Sequence, residues 1–255
     1  MTNIKEYFGP TKTSTDIYRI VAHIALVYLI FTGTMREWII AFCVYYFTVT
    51  IAGTVVLHRL MSHRTFKAPK WFEYLGSLLI TLHGSCVSAM SWVALHREHH
   101  RHTDTEKDPH SPRFFGYWRV QFRVSRNPNF KYITDLARDK VHTFIHSYHW
   151  PICLTYAAIL YCIDPRAVIY FWLVPGIFVW HGGSTTNTLN HSPIGYKNYP
   201  DAKDHSVNNP ITGILVAGEG WHNNHHYQPW NPRIGHKWWE FDMGWQVIKL
   251  IRTDK

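Results

Sequence analysis

The sequence predicts an all-α integral membrane protein forming one domain over residues 1–255, with four transmembrane helices in two hairpins and a helical cap on one face carrying a histidine-rich site. Three observations predict it. Apolar runs nearly free of charge alternate with segments dense in charge, a segregation that a soluble domain does not keep. The runs come in pairs joined by minimal links. Closely spaced histidines recur just outside them, as in "HRLMSH", "HREHHRHTD" and "HNNHH".

The elements follow in order. The opening stretch "MTNIKEYFGPTKTSTD" has no basic n-region, apolar h-region or small-residue cleavage site, so the first run is expected to stay as an anchor. That run covers 17–35 and the next covers 38–57. Each has about 20 residues, enough to cross a hydrocarbon core of about 30 Å as a helix. Only Arg36 and Glu37 separate them, which predicts a tight hairpin. The second pair covers 149–163 and 166–189, linked by "DPR" at 164–166. Its first member is short alone, so its start is expected inside "FIHSY". The run 71–95 carries Glu73 and His83 and reads as a re-entrant or surface helix. The tail 236–251 puts Trp238, Phe241, Trp245 and Ile248 on one helical face, which predicts a helix on the membrane surface or over the cap.

Four spans leave 1–16, 58–148 and 190–255 on one side. All but Arg36 and Arg166 of the 26 Lys and Arg fall there or at its boundary. The positive-inside rule makes that side cytoplasmic, with both termini and the histidines on it. The net charge of +9 is thus mainly a topology signal. No helix-turn-helix, zinc-finger or RNA-binding signature is present, so no nucleic-acid partner is expected. The basic face suits membrane lipid, an acidic electron carrier or an anionic head group. Cys43, Cys86, Cys153 and Cys162 form no CxxC pair and read as small buried hydrophobes.

His96, His99 and His100 are spaced i, i+3, i+4, one face of a helix, and His222, His225 and His226 repeat that spacing. Asn187 and His191 are i, i+4. His58 and His63 are i, i+5, about 140° apart on an ideal helix. They sit where the helix unwinds, or they face two different ions. Neutral imidazole suits Fe, Zn, Cu and Ni, and an ion takes three or four protein ligands, so nine histidines suit two ions. Glu98, Asp104 and Glu219 are candidates to orient imidazoles. His23, His83, His142, His146, His149, His181, His205 and His236 read as structural. His102 and His110 flank the second box and stay open.

These boxes resemble those of the membrane fatty acid desaturases. "HRLMSH" resembles the family's HxxxxH, and "HREHHRHTDTEKDPHSP" its HxxHH with the acidic extension of the stearoyl-type Δ9 branch. "NTLNH" resembles NxxxH, and "GEGWHNNHH" the third box. "PRIGHKWWEFD" is similar to compact bacterial and cyanobacterial members. The resemblance, from about residue 50 to 245, implies a di-iron centre held by His58, His63, His96, His99, His100, His191, His222, His225 and His226, with Asn187 reaching one metal through water. It implies O2 as co-substrate, a saturated acyl-CoA or acyl-lipid, and a cis double bond, with Δ9 the expected position. With no cytochrome b5-like domain fused, electrons are expected from a ferredoxin or cytochrome b5-like carrier. "RFFGYWRVQF" departs from the animal acyl-CoA enzymes, so head-group contacts do not carry over. A membrane di-iron hydroxylase of lipid, sterol or carotenoid is the nearest alternative. A metal transporter is more remote, since it needs ligands along a pathway within the spans.

Overall fold

The computed structural model describes residues 9–84, 87–123 and 127–254, which form helices and connecting turns with no strand among them. Cys86 lies outside the described residues. Cys43, Cys153 and Cys162 are free thiols, with Cys153 buried and the other two exposed.

α1 (Lys12–Thr32) and α2 (Met35–Thr48) form the first hairpin. The turn falls at Gly33–Thr34, ahead of the expected Arg36–Glu37. The reason is a capping box: the Thr34 hydroxyl accepts from the Glu37 N–H, and the Glu37 carboxylate accepts from the Thr34 N–H at 2.7 Å. Glu37 therefore opens α2. Its carboxylate also receives two bonds from Arg166, at 2.6 and 2.9 Å, which tie this hairpin to the second.

α2 continues without a break as a π-helix, Val49–Ser62, which ends beside His63. The second hairpin is α8 (His149–Ile163) and α9, which runs as a π-helix over Val168–Leu173 and as an α-helix over Val174–Leu189. α8 does not begin inside "FIHSY": that stretch ends α7 (Lys140–Ser147), and Tyr148 breaks the two apart. Among the described residues, two helices, Lys12–Thr32 and Met35–Ser62, are long and apolar enough to cross a membrane by themselves. α8 is apolar but shorter, and the second half of α9, "HGGSTTNTL", is polar.

The run 71–95 is two helices, α3 (Lys70–His83) and α4 (Ala89–His102), broken between them. α3 and α4 both pack on the π-helix, so its middle is the centre of the main core, with Val55, Val56, Leu57, Val93 and Ala94 fully buried. Arg97 locks α4 to the end of the π-helix. Its guanidinium donates to the carbonyls of Met61 and Ser62, which the helix end leaves free, and is held by Asp135 at 2.7 and 3.1 Å.

The shorter helices are α5 (Pro112–Phe115), α6 (Tyr117–Phe122), α10 (Pro210–Leu215), α11 (His222–Tyr227) and α12 (Met243–Ile251). The tail is helical only from Met243. Upstream, the Glu240 carboxylate takes the N–H groups of His236 and Lys237, and Asp242 caps Trp245, so these donors serve side chains instead of a helix. Of the expected apolar face, Ile248 is buried against the π-helix, whereas Trp238 is 93% exposed.

Candidate metal centre

Nine histidines from four elements meet and sort into two clusters. His58, His63, His96, His100 and His225 form one; His99, His191, His222 and His226 form the other. Consecutive helix residues point about 100° apart. His99 and His100 therefore serve different clusters, as do His225 and His226. His58 and His63 share one cluster because the π-helix bonds i to i+5: the His63 N–H donates to the His58 carbonyl at 3.1 Å, which stacks the two residues one turn apart. The helix is wound wider there, and the two rings do not face different ions.

The rings meet through Nε2. In the first cluster the pairs His58–His225, His63–His96 and His100–His225 each lie 2.9 Å apart. In the second, His191–His222, His222–His226 and His99–His226 lie 3.1, 3.0 and 3.4 Å apart. Metal–imidazole bonds of about 2.1 Å put adjacent ligands about 3 Å apart and opposite ones about 4.2 Å. The spacings fit an ion at each centre, and all ligand atoms within a cluster lie within 4.8 Å of one another.

Burial, reinforced by neighbouring rings, pushes His63, His96, His100, His222 and His225 well below the ordinary histidine range. They stay neutral, the form that ligates. Four carboxylates hold the opposite ring nitrogens. Nδ1 of His58 lies 2.5 Å from Glu219, that of His99 2.9 Å from Asp108, that of His191 3.3 Å from Asp104, and that of His226 2.8 Å from Asp204. Each contact fixes a tautomer and aims Nε2 at the centre. Burial lowers His99, but the Asp108 carboxylate overrides it and leaves the ring raised. Burial dominates at His226, which falls to about 4 despite Asp204. Burial would raise Asp104, but the bond from His191 brings it to about 2.

Glu219 and Asp104 thus orient rings as expected, while Glu98 carries no hydrogen bond or ion pair among the described residues. The sequence did not single out Asp108 or Asp204; Asp108 lies in the acidic extension after the second box, the one available signal. Arg59, 1% exposed, was also missed. It forms a fork with Asp242 at 2.9 and 3.0 Å and lies 3.5 Å from Glu219, so it anchors the π-helix to α12 and to the His58 partner.

The third box follows from local chemistry. Gly218 has φ +111°, and a Cβ on Gly220 would meet the Gly213 nitrogen at 2.0 Å, so only glycines flank Glu219 without strain. On α11, the two asparagines of "HNNHH" point away from the rings. Asn208 accepts from the N–H groups of Asn223 and Asn224, and Asn224 donates to the Ile234 carbonyl and to Glu240 at 2.8 Å each.

The remaining histidines separate cleanly. His102 lies 3.3 Å from the Tyr132 hydroxyl, outside both clusters. His110 stacks on His99 with centroids 4.5 Å apart, and burial lowers it to about 3. His83, His142, His146 and His236 bond to Tyr156, Glu73, Ser88 and Tyr199. His142, Glu73 and Asp139 also converge, but Lys70 sits between the two carboxylates.

A cavity of about 160 Å³ opens onto the clusters, lined at this end by His58, His96, His110, Asn187, Glu219 and His222. Asn187 thus faces the cavity beside the second cluster. The walls then follow two helices: Thr54, Gly53 and Val49 on the π-helix, and Gly183 and Val179 on α9. From Asn187 to Val179 is two helical turns, about 12 Å, and the lining grows apolar along it.

The comparisons agree with this geometry. The fatty acid desaturase family model matches residues 36–251. The chain is 34% identical over 220 residues to an sn-1 stearoyl-lipid 9-desaturase of Anabaena variabilis, covering 84% of this chain and 79% of that protein. It is 33% identical to an sn-2 palmitoyl-lipid 9-desaturase of Nostoc sp., covering 77% and 71%. It is 30% identical to an acyl-CoA C20 Delta5-desaturase of Anemone leveillei, covering 93% and 79%. These relatives and the family model make the chain an oxidoreductase, a desaturase, with two histidine clusters at the head of an apolar cavity. The chain belongs to the fatty acid desaturase family, a membrane-associated family.

Proposed function

We propose that the chain is an O2-dependent di-iron desaturase that inserts a cis double bond, at the Δ9 position, into a saturated acyl chain lying in the cavity. The observation that carries the reading is the pair of Nε2 clusters at the polar end of an apolar cavity. His58, His63, His96, His100 and His225 would hold one iron, and His99, His191, His222 and His226 the other, with Asn187 reaching the second through water. When bound and reduced by two electrons from a ferredoxin or cytochrome b5-like carrier, the irons supply the O2 chemistry that takes hydrogen from an unactivated methylene, which no side chain can do.

The protein's own work is positional. Glu219, Asp108, Asp104 and Asp204 hold four imidazoles in one tautomer. Val49, Gly53, Val179 and Gly183 hold the chain so that one carbon pair lies beside the rings, and they exclude water. Two of the relatives are named 9-desaturases, which supports Δ9. Relatives are named for acyl-lipid and for acyl-CoA substrates, which supports an acyl-lipid or an acyl-CoA as the substrate.

The same reading includes four spans. α1 leaves Ile17, Ile20, Ile24 and Phe31 at 58–82% exposure, and α8 leaves Leu154, Ile159 and Ile163 uncovered. Apolar faces of this extent suit lipid. The broken α3–α4 pair suits a re-entrant segment, with the clusters and both termini on the cytoplasmic side.

Iron content tests the ligand sets. The purified chain is expected to bind two irons. His63→Ala with His100→Ala should lose one, and His191→Ala with His222→Ala the other. Full iron content in both double variants would sink the assignment.

A further inference from the structure

We propose that α10 is seated in the bilayer, with Ile211, Ile214 and Leu215 among the acyl tails of the cytoplasmic leaflet; the proposal rests on the spans proposed above and not on the metal centre. By its place in the sequence α10 belongs to the stretch 190–255, outside all four spans. Yet its three aliphatic side chains are 48–65% exposed, and the helix, "PITGIL", carries no charge.

A helix in hydrocarbon must close its own backbone, because no water reaches its ends. α10 does so at both ends. Pro210 brings no N–H. The Asn209 side chain accepts from the N–H groups of Ile211 and Thr212 at 3.0 and 3.3 Å, and its carbonyl accepts from that of Gly213 at 2.9 Å. The carbonyls of Thr212 and Gly213 accept from the N–H groups of Val216 and Gly218 at 2.9 and 2.7 Å. The last two carbonyls, of Ile214 and Leu215, accept from the Tyr46 and Tyr45 hydroxyls at 3.3 and 2.7 Å. Carbonyls that face water need no such donors, since water supplies them.

The same tyrosines set the depth. Tyr45 lies ten residues beyond Met35, on the helix that runs unbroken to Ser62. At 1.5 Å per residue that is about 15 Å, half of a hydrocarbon core of about 30 Å. The two hydroxyls therefore hold α10 within the core. The Tyr46 ring stacks on Phe42 with centroids 5.9 Å apart, and Phe42 and Phe47 are 49% and 55% exposed, so the face of α10 continues the apolar face of α2. A protein partner on α10 would have to cover that face of the span as well, whereas lipid covers both. On its other side α10 runs into Val216, which is buried and lines the acyl cavity. The bilayer thus braces the cavity wall at this point.

Photo-crosslinking of the full-length chain in lipid nanodiscs tests this. p-Benzoylphenylalanine is placed at Ile214, at Ile24 on the exposed face of α1, or at Lys203 on the exposed surface beyond the spans. On illumination the Ile214 and Ile24 variants should gain the mass of one lipid, and the Lys203 variant should not. Separately, Ile214→Asp should lower the melting temperature in nanodiscs by about 5–10 °C, the effect of a charge placed in hydrocarbon. On a water-facing helix the same change would leave it nearly unmoved. Lipid adducts at Ile24 but not at Ile214, a crosslinked dimer at Ile214, or an unchanged melting temperature for Ile214→Asp would overturn the placement of α10 and leave the spans standing. No lipid adduct at Ile24 would overturn the spans themselves.

Discussion

Gly183 offers the sharpest test of how the cavity sets chain length. It lines the cavity one turn from Asn187, toward the apolar end, and a Cβ built on it meets nothing within 4 Å. The Cβ of Gly183→Leu therefore enters open space, and the rest of the side chain extends from there into the cavity that Gly183 lines. Replacing glycine in a helix interior is itself favourable by about 0.5–1 kcal/mol, so the melting temperature should hold or rise slightly. The four added carbons occupy room that acyl methylenes would take. At about 0.8 kcal/mol per buried CH2, displacing about four of them removes about 3 kcal/mol of transition-state binding, or about 100-fold in kcat/KM for a stearoyl chain. A chain shorter by about four carbons should escape most of that loss. The assay is a chain-length series with purified enzyme, with products located by mass spectrometry. Equal losses at every chain length, or no loss for stearoyl, would refute the placement of the distal chain along Val179–Gly183.

Asp108→Asn should weaken the hold on His99 and lower iron affinity or activity by about 10–100-fold, read by iron titration against wild type. Arg59→Leu leaves Asp242 and Glu219 as buried charges without their partner, and should cost about 3–5 kcal/mol of stability; adding Asp242→Leu should recover part of it in denaturant melts. The metal-free protein should lose stability on acidification. His226 and His110 are held at about 4 and 3 in the fold against 6.5 unfolded. The unfolded chain therefore binds more protons below about pH 6.5, and stability falls as the pH drops from there toward 4, by up to about 1.4 kcal/mol per unit for each ring. A melting temperature flat between pH 7.5 and 5 would contradict this.

The convergence of the boxed histidines was legible because i, i+3, i+4 spacing puts side chains on one face whatever surrounds the helix. Their division into two clusters was not, because it depends on how four elements are rotated against one another and on the π-winding that returns His63 above His58. The carboxylates Asp108 and Asp204 lie 9 and 22 residues from the rings they hold, in loops with no periodic signal. The tail was over-read as a helix because apolar spacing cannot register that Glu240 and Asp242 claim the backbone donors. The hairpin turn lies three residues ahead of Arg36–Glu37 because Thr34 and Glu37 form the cap, which a reading by charge alone does not register.

The central claim is that this histidine centre desaturates an acyl chain. The most direct test is to express the chain in a host lacking its own aerobic desaturase, supply ferredoxin and cytochrome b5 reducing systems, and locate double bonds in derivatised fatty acids by mass spectrometry. A new cis monoene at the Δ9 position, absent from a His99→Ala control that still inserts in the membrane, is the predicted result. Hydroxylated lipid, or the same monoene from the His99→Ala control, would contradict it.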